Sequence, residues 1–150
     1  MTAYKFLQNC ATSQEVAEHL SQCEETFVTS LAAKIAIPDY AKKITDHAWR
    51  TEAWLDNKLV GLVAAYFNDD TQQGFITNVS VLPQVQNRGI GSQLLTQCLS
   101  LLQTKGATEI GLEVDESNIP AQRLYMYKGF RRGAVANSTI SMTFYGEKIK

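Results

Sequence analysis

The chain has 150 residues, 45% of them hydrophobic and 19% charged, with a net charge of −1. That length and balance predict a single globular domain, residues 1–150, with a core of its own, and exclude a disordered or fibrous chain. A near-zero charge leaves no basic face for nucleic acid, and no apolar run reaches the roughly 20 residues of a membrane span.

Tyr4 to Gln8 reads as a short first strand. Thr12-Ser-Gln-Glu15 is a capping-box pattern, and Val16, Ala17 and Leu20 share one face of the helix it opens. A second helical region is expected over Glu24 to Lys34 and a third, shorter one over Pro38 to Asp46, with Pro38 near its start. Trp49 to Leu55 and Leu59 to Phe67 read as strands about an Asp56-Asn57-Lys58 turn. Gly74 to Leu82 is the next strand. A helix follows from about Gly89 to Lys105, its apolar face made by Leu94, Leu95, Cys98, Leu101 and Leu102, and Gly106 fits the residue beyond its end.

Thr108 to Val114 alternates Ile110, Leu112 and Val114 onto one face. Strand, helix, strand is a βαβ unit, so these two strands are expected to be parallel. Asn118 caps a short helix with Pro120 in its first turn and Gly129 beyond it. Arg131 to Ala136 and Thr139 to Tyr145 form a last hairpin about Asn137-Ser138, with Ile140, Met142 and Phe144 pointing inward. The order predicts an α/β fold.

The cysteines, Cys10, Cys23 and Cys98, form neither a Cys-x-x-Cys pair nor a metal-ligand spacing, so no metal is expected. Their odd number, with no leader pattern at the Met1-Thr-Ala-Tyr-Lys-Phe start, points to reduced thiols and a cytoplasmic protein.

The most informative stretch is Val79-Ser-Val-Leu-Pro-Gln-Val-Gln-Asn-Arg-Gly-Ile-Gly-Ser92. A β-branched run meets a glycine loop, Gln86-x-x-Gly89-x-Gly91, and then a helix. That order aims backbone N–H groups at a phosphate, and the helix start adds about half a positive charge. A dinucleotide fingerprint is excluded because Leu94 stands where a third small residue belongs. A P-loop is excluded because Gln93 and Leu94 follow Gly91-Ser92.

The loop resembles the pyrophosphate signature of the GCN5-related N-acetyltransferases. Leu112-Glu-Val114, Asn118, Ala121, Tyr125 and Gly129-Phe130 follow at the family's spacings, and the likeness runs from about Trp49 to Phe130. It implies the acyl-CoA N-acyltransferase fold, a mixed central sheet with helices on both faces, and acetyl-CoA as cosubstrate. It places Gln86, Asn87, Arg88, Gly89, Ile90, Gly91 and Ser92 at the pyrophosphate. Val79, Ser80 and Val81 fall beside the pantetheine arm through their backbone, and Asn118 at the same arm.

The resemblance gives Tyr125 the role of acid for the departing thiolate, with a buried packing tyrosine as the plain alternative. Glu113 matches the catalytic glutamate of the ribosomal-protein alanine acetyltransferase branch. A structural carboxylate is the equal alternative there. Asn78 stands where some members place a glutamate base, and an amide does not take a proton. Asp46, His47 and Glu52 are the other candidate bases. Tyr40, Trp49, Trp54 and Tyr66 offer aromatic walls near the acceptor, and segment 24–48 has almost balanced charge. Together these favour a small mono-amine or amino-sugar acceptor. N-terminal acetylation of a protein and non-catalytic acyl-CoA sensing are the alternatives, and a homodimer stays open.

Overall fold

The computed structural model describes residues 4–24 and 31–146. They form β1 (Lys5–Gln8), α1 (Ser13–Glu24), α2 (Leu31–His47), β2 (Trp49–Leu55), β3 (Lys58–Asn68), β4 (Gln73–Val81), α3 (Ile90–Thr104), β5 (Glu109–Asp115), α4 (Ile119–Tyr127), β6 (Arg131–Ala136) and β7 (Thr139–Tyr145). The strands make one seven-stranded mixed sheet in the order β1-β2-β3-β4-β5-β7-β6. The α/β class read from the sequence is the one observed. Packing divides the chain into two compact units, Met1–Ala64 with Asn78–Cys98, and Ala65–Thr77 with Leu99–Lys150.

In the first unit, β1 lies antiparallel on β2, with Lys5 opposite Trp54 and Gln8 opposite Thr51. The capping box forms as expected: Thr12 N–H donates to Glu15 Oε1 at 2.9 Å, and Glu15 N–H donates to Thr12 Oγ1 at 3.1 Å. Val16 and Leu20 are buried beneath that helix.

Helix α2 corrects the sequence reading. Residues 25–30 of the expected Glu24 to Lys34 helix lie outside the described residues. From Leu31 to His47 the chain is one helix with Pro38 inside it, not a break followed by a shorter piece. Pro38 removes one i→i−4 bond. Ile37, Ala41, Ile44 and Ala48 continue at helical spacing and are all buried, and that stripe outweighs the single lost bond.

Close packing of α3 on the sheet depends on Gly61 of β3. A Cβ there would lie 2.8 Å from Ile90 Cγ2 and 3.0 Å from Leu94 Cδ1. The core face of α3 includes Leu94, Leu95, Cys98, Leu99 and Leu102. Leu99 takes the buried place expected of Leu101, which is half-buried.

In the second unit, β4 and β5 are parallel, as the βαβ order requires, with Gln73 opposite Glu109 and Ile76 opposite Leu112. Both strands run on past that last pair, β4 to Val81 and β5 to Asp115. β5 pairs antiparallel with β7 from Glu109↔Tyr145 to Asp115↔Thr139. Ile110, Leu112, Val114, Ile140 and Met142 form its buried face. Asn137 and Ser138 both have positive φ, 53° and 65°, the two-residue turn whose twist suits a hairpin.

Candidate active site

The glycine loop is built to leave backbone donors open. Leu82 N–H bonds the Val60 carbonyl at 2.9 Å, which ends β4 against β3. Pro83–Val85 makes one 3₁₀ turn anchored by buried Val85. Gln86 Nε2 donates to the Val81 carbonyl at 3.2 Å and ties the loop back to its strand. Asn87 and Gly89 then reverse the chain at φ 64° and 77°. Gly89 fits that conformation without a Cβ penalty, and a Cβ there would meet nothing within 4 Å. Crowding by the protein is therefore not the reason for this glycine.

The first intrahelical bond of α3 runs from Gln93 N–H to the Gly89 carbonyl at 3.0 Å. The N–H groups of Ile90, Gly91 and Ser92 precede it and have no acceptor within the helix. Asn87, Arg88 and Gly89 are exposed, and Gly91 and Ser92 half-buried. Ile90 is 2% exposed, so its side chain belongs to the core and only its N–H faces the loop. A Cβ on Gly91 would lie 3.4 Å from Val81 Cγ2, so this glycine seats the start of α3 closely on β4. Val79 and Val81 are half-buried, and Ser80 is buried.

In the second unit, Asn118 caps α4 by accepting the Ala121 N–H at 3.2 Å, and Pro120 sits in the first turn as expected. Asp115 Oδ1 accepts the Ser117 N–H at 2.8 Å and its hydroxyl at 2.6 Å. Those bonds favour the charged form and hold the Asp115 carboxyl below its ordinary value. Gln122, buried and not singled out in the sequence, donates Nε2–H to the carbonyls of Asp115 at 3.1 Å and Glu116 at 2.9 Å. It fastens the β5–α4 connection.

Tyr125 is 7% exposed and stacks on Phe130 at 5.9 Å between ring centroids, and Phe130 on Phe144 at 5.6 Å. Burial pushes its phenol up from 10 to about 12, so it holds its proton at neutral pH. Tyr127, the neighbour most easily confused with it, is 84% exposed. Glu113 is exposed and paired opposite Ser141. It lies on the sheet face opposite Ile110, Leu112 and Val114, whereas Phe144 pairs with Ile110 on the buried face. The structure therefore places Glu113 and the Tyr125 stack on opposite faces of β5.

Among the other candidate bases, Glu52 is fully buried and already saturated. It accepts the Cys10 and Ala11 N–H groups, each at 3.0 Å, the Arg50 Nε–H at 3.0 Å and the Trp54 Nε1–H at 3.2 Å. It is a structural carboxylate. Asp46 pairs with Lys42 at 2.9 Å on the exposed face of α2, and His47 is exposed at the helix end. Trp49 is 37% exposed. Trp54 joins Lys5, Leu7, Cys10, Glu15, Asp56 and Asn57 around a surface cavity of about 540 Å³. No group of three or more possible metal-binding side chains occurs among the described residues.

The sequence model of the Acetyltransferase (GNAT) family matches residues 13–130. The chain belongs to this family. The PaiA N-acetyltransferase of Thermoplasma acidophilum in complex with coenzyme A superposes with a TM-score of 0.82 at 14% identity, covering 96% of this chain and 99% of that one. A ribosomal protein bS18 alanine N-acetyltransferase of Salmonella typhimurium is 38% identical over 58 residues, 39% of each chain. A mycothiol acetyltransferase of Stackebrandtia nassauensis is 34% identical over 80 residues, 52% of this chain and 26% of that protein. The chain spans about half or less of the length of such curated relatives. No described helix is long and apolar enough to cross a membrane.

Proposed function

We propose that the chain transfers the acetyl group of acetyl-CoA to a primary amine on a small mono-amine or amino sugar. The observation that carries this reading is the open start of α3. Three first-turn N–H groups without helical acceptors face an exposed, positive-φ loop, in a chain of the acetyltransferase family. Gln86 to Ser92 hold the pyrophosphate, and Arg88 adds a charged contact. The backbone of Val79 to Val81 pairs with the pantetheine arm as an added strand would. The Ser80 side chain is committed inward, so only its backbone is free for that pairing.

Tyr125 supplies the proton for the leaving thiolate. The amine nitrogen attacks the thioester carbonyl, a C–N bond forms and the C–S bond breaks. The sulfur takes the phenol proton, which solvent restores. Glu113, on the other face of β5 from the Tyr125 stack, reaches the amine only through water and takes the proton it loses. Asn118 touches the arm as well as capping α4.

Relatives that modify ribosomal-protein alanine support a second reading, acetylation of a protein N-terminus, with the same Glu113 and Tyr125. The deciding experiment measures free CoA released from acetyl-CoA with glucosamine, benzylamine, spermidine and Ala- or Ser-starting peptides at equal concentration. The highest kcat/KM should fall on glucosamine or benzylamine. A preference for the peptides would establish the second reading. No release with any of them, alongside acetyl-CoA binding, would leave a sensor.

A further inference from the structure

The passage from β5 into α4 is clasped by its own chain and also from inside the helix. Asp115 Oδ1 holds the Ser117 N–H and hydroxyl, and the Asp115 carbonyl accepts the Asn118 N–H at 2.9 Å. The remaining clasp is the Gln122 side chain. Gln122 lies one turn into α4 and is 4% exposed. Its Nε2 reaches back to the Asp115 carbonyl at 3.1 Å and the Glu116 carbonyl at 2.9 Å. A carbonyl only accepts, so the nitrogen end of the amide must face both oxygens, and both of its protons are used.

Register along β5 shows why that point needs a clasp. Glu116 N–H donates to the Ser138 carbonyl at 2.8 Å, so the hydrogen-bonded pairs with β7 fall on the even residues of β5. The odd residues, Asp115 among them, turn their N–H and C=O groups to the β4 side. Pairing with β4 ends at Ile76↔Leu112. Asp115 therefore stands beyond the last rung, and its carbonyl is held by the Asn118 N–H and by Gln122 in place of a strand.

Helix α4 has nine residues and is only about 13 Å long, so its line depends on few contacts. At its far end Tyr125 stacks on Phe130, and Phe130 on Phe144 of β7. At its near end Gln122 grips the end of β5. Gln122 and Tyr125 are three positions apart, neighbours on one helix face, and both are buried. The stack holds the ring, and the Gln122 clasp fixes how far the helix slides along β5, which sets where the phenol oxygen lies. We propose that Gln122 is a positioning residue for Tyr125, holding its phenol oxygen where the leaving sulfur needs the proton. The proposal rests on the acetyl-transfer reading with Tyr125 as the acid. An apolar side chain of the same size would fill the space and hold neither carbonyl, so the buried amide serves direction rather than packing.

The test is a double-mutant cycle in kcat, with whichever of glucosamine, benzylamine or an alanine-starting peptide the wild type turns over. Gln122→Met keeps the bulk of the side chain and removes both N–H donors. It should lower kcat about 10–10²-fold, the effect of a reacting group displaced by roughly 1 Å. Acetyl-CoA KM should stay within about twofold, because Asn118 keeps its own bonds to Asp115 and Ala121. In a Tyr125→Phe background, where no phenol proton is left to place, the same change should lower kcat less than about twofold. An equal loss in both backgrounds overturns the proposal and marks a folding role, and an unchanged kcat in Gln122→Met overturns it too. If Gln122→Met fails to fold, Gln122→Asn, one methylene too short to span both carbonyls, runs the same cycle with the same outcomes. If the wild type turns over no amine, or Tyr125→Phe matches it, the parent reading fails and takes this one with it. If Tyr125→Phe falls and the Gln122 variant does not, only this one fails.

Discussion

Helices α3 and α4 begin in opposite ways. At α4 the first turn is closed by its own chain: Asn118 accepts the Ala121 N–H, and Pro120 removes a donor altogether. At α3 the cap position is Gly89, which has no side chain to offer, and the loop before it is exposed. A capped start is a stability device, worth about 1 kcal/mol. An uncapped start at the end of a strand leaves N–H groups that an anion can accept from. In the proposed reaction the two helices would contribute different groups, α3 its backbone N–H groups and α4 the Tyr125 side chain.

The largest effect that sharpens this contrast is on α4. Tyr125→Phe should lower kcat by about 10²–10⁴-fold with acetyl-CoA KM nearly unchanged, as loss of a general acid does. Exposed Tyr127→Phe should stay within about twofold. Steady-state kinetics on both variants would break the assignment if the two fell equally.

The buried pair of His19 on α1 and Ser80 on β4, 2.8 Å apart, gives a second expectation, in stability against pH. His19 has its folded pKa lowered to about 4, below the ordinary 6.5 of an unfolded chain. Stability is therefore fully present above about pH 6.5 and is lost as pH falls toward 4, by about 3 kcal/mol in all. Urea unfolding across that range should show the slope, and His19→Gln should flatten it. An equal slope in the variant would assign the acid loss to other groups.

Smaller still are the caps. Asn118→Ala should lower stability by about 1 kcal/mol, near 3 °C in Tm, and raise acetyl-CoA KM if it also touches the arm. Thr12→Ala, which opens the capping box of α1, should match that stability loss and leave acetyl-CoA KM alone. Thermal melts with kinetics on both variants separate a cap that only caps from one that also binds.

Local chemistry was legible in the sequence. The bounds of β2, the Thr12–Glu15 box, the Asn118 cap and the Asn137-Ser138 turn depend on residues within a few positions, and the structure shows them where expected. Long-range polar pairing was not legible. Glu52 looked like a candidate base because nothing near it in sequence reveals the Cys10, Ala11 and Arg50 donors that saturate it. His19 and Ser80 are 61 positions apart and meet only through the fold. The unbroken α2 was missed because Pro38 is a strong local signal, and the Ile37, Ala41, Ile44 stripe prevails over it only once it is buried. The separation of Glu113 from Tyr125 followed from β5 alternation, yet which face the Phe130–Phe144 stack covers depended on the pairing with β7.

The central claim is that the open start of α3 holds the pyrophosphate of acetyl-CoA. The most direct test is the change in Tm on adding acetyl-CoA to the wild type and to Gly89→Asp. The account predicts a clear upward shift in the wild type. In Gly89→Asp, a carboxylate among the open N–H groups should abolish it while the protein still folds. An equal shift in both would contradict the account.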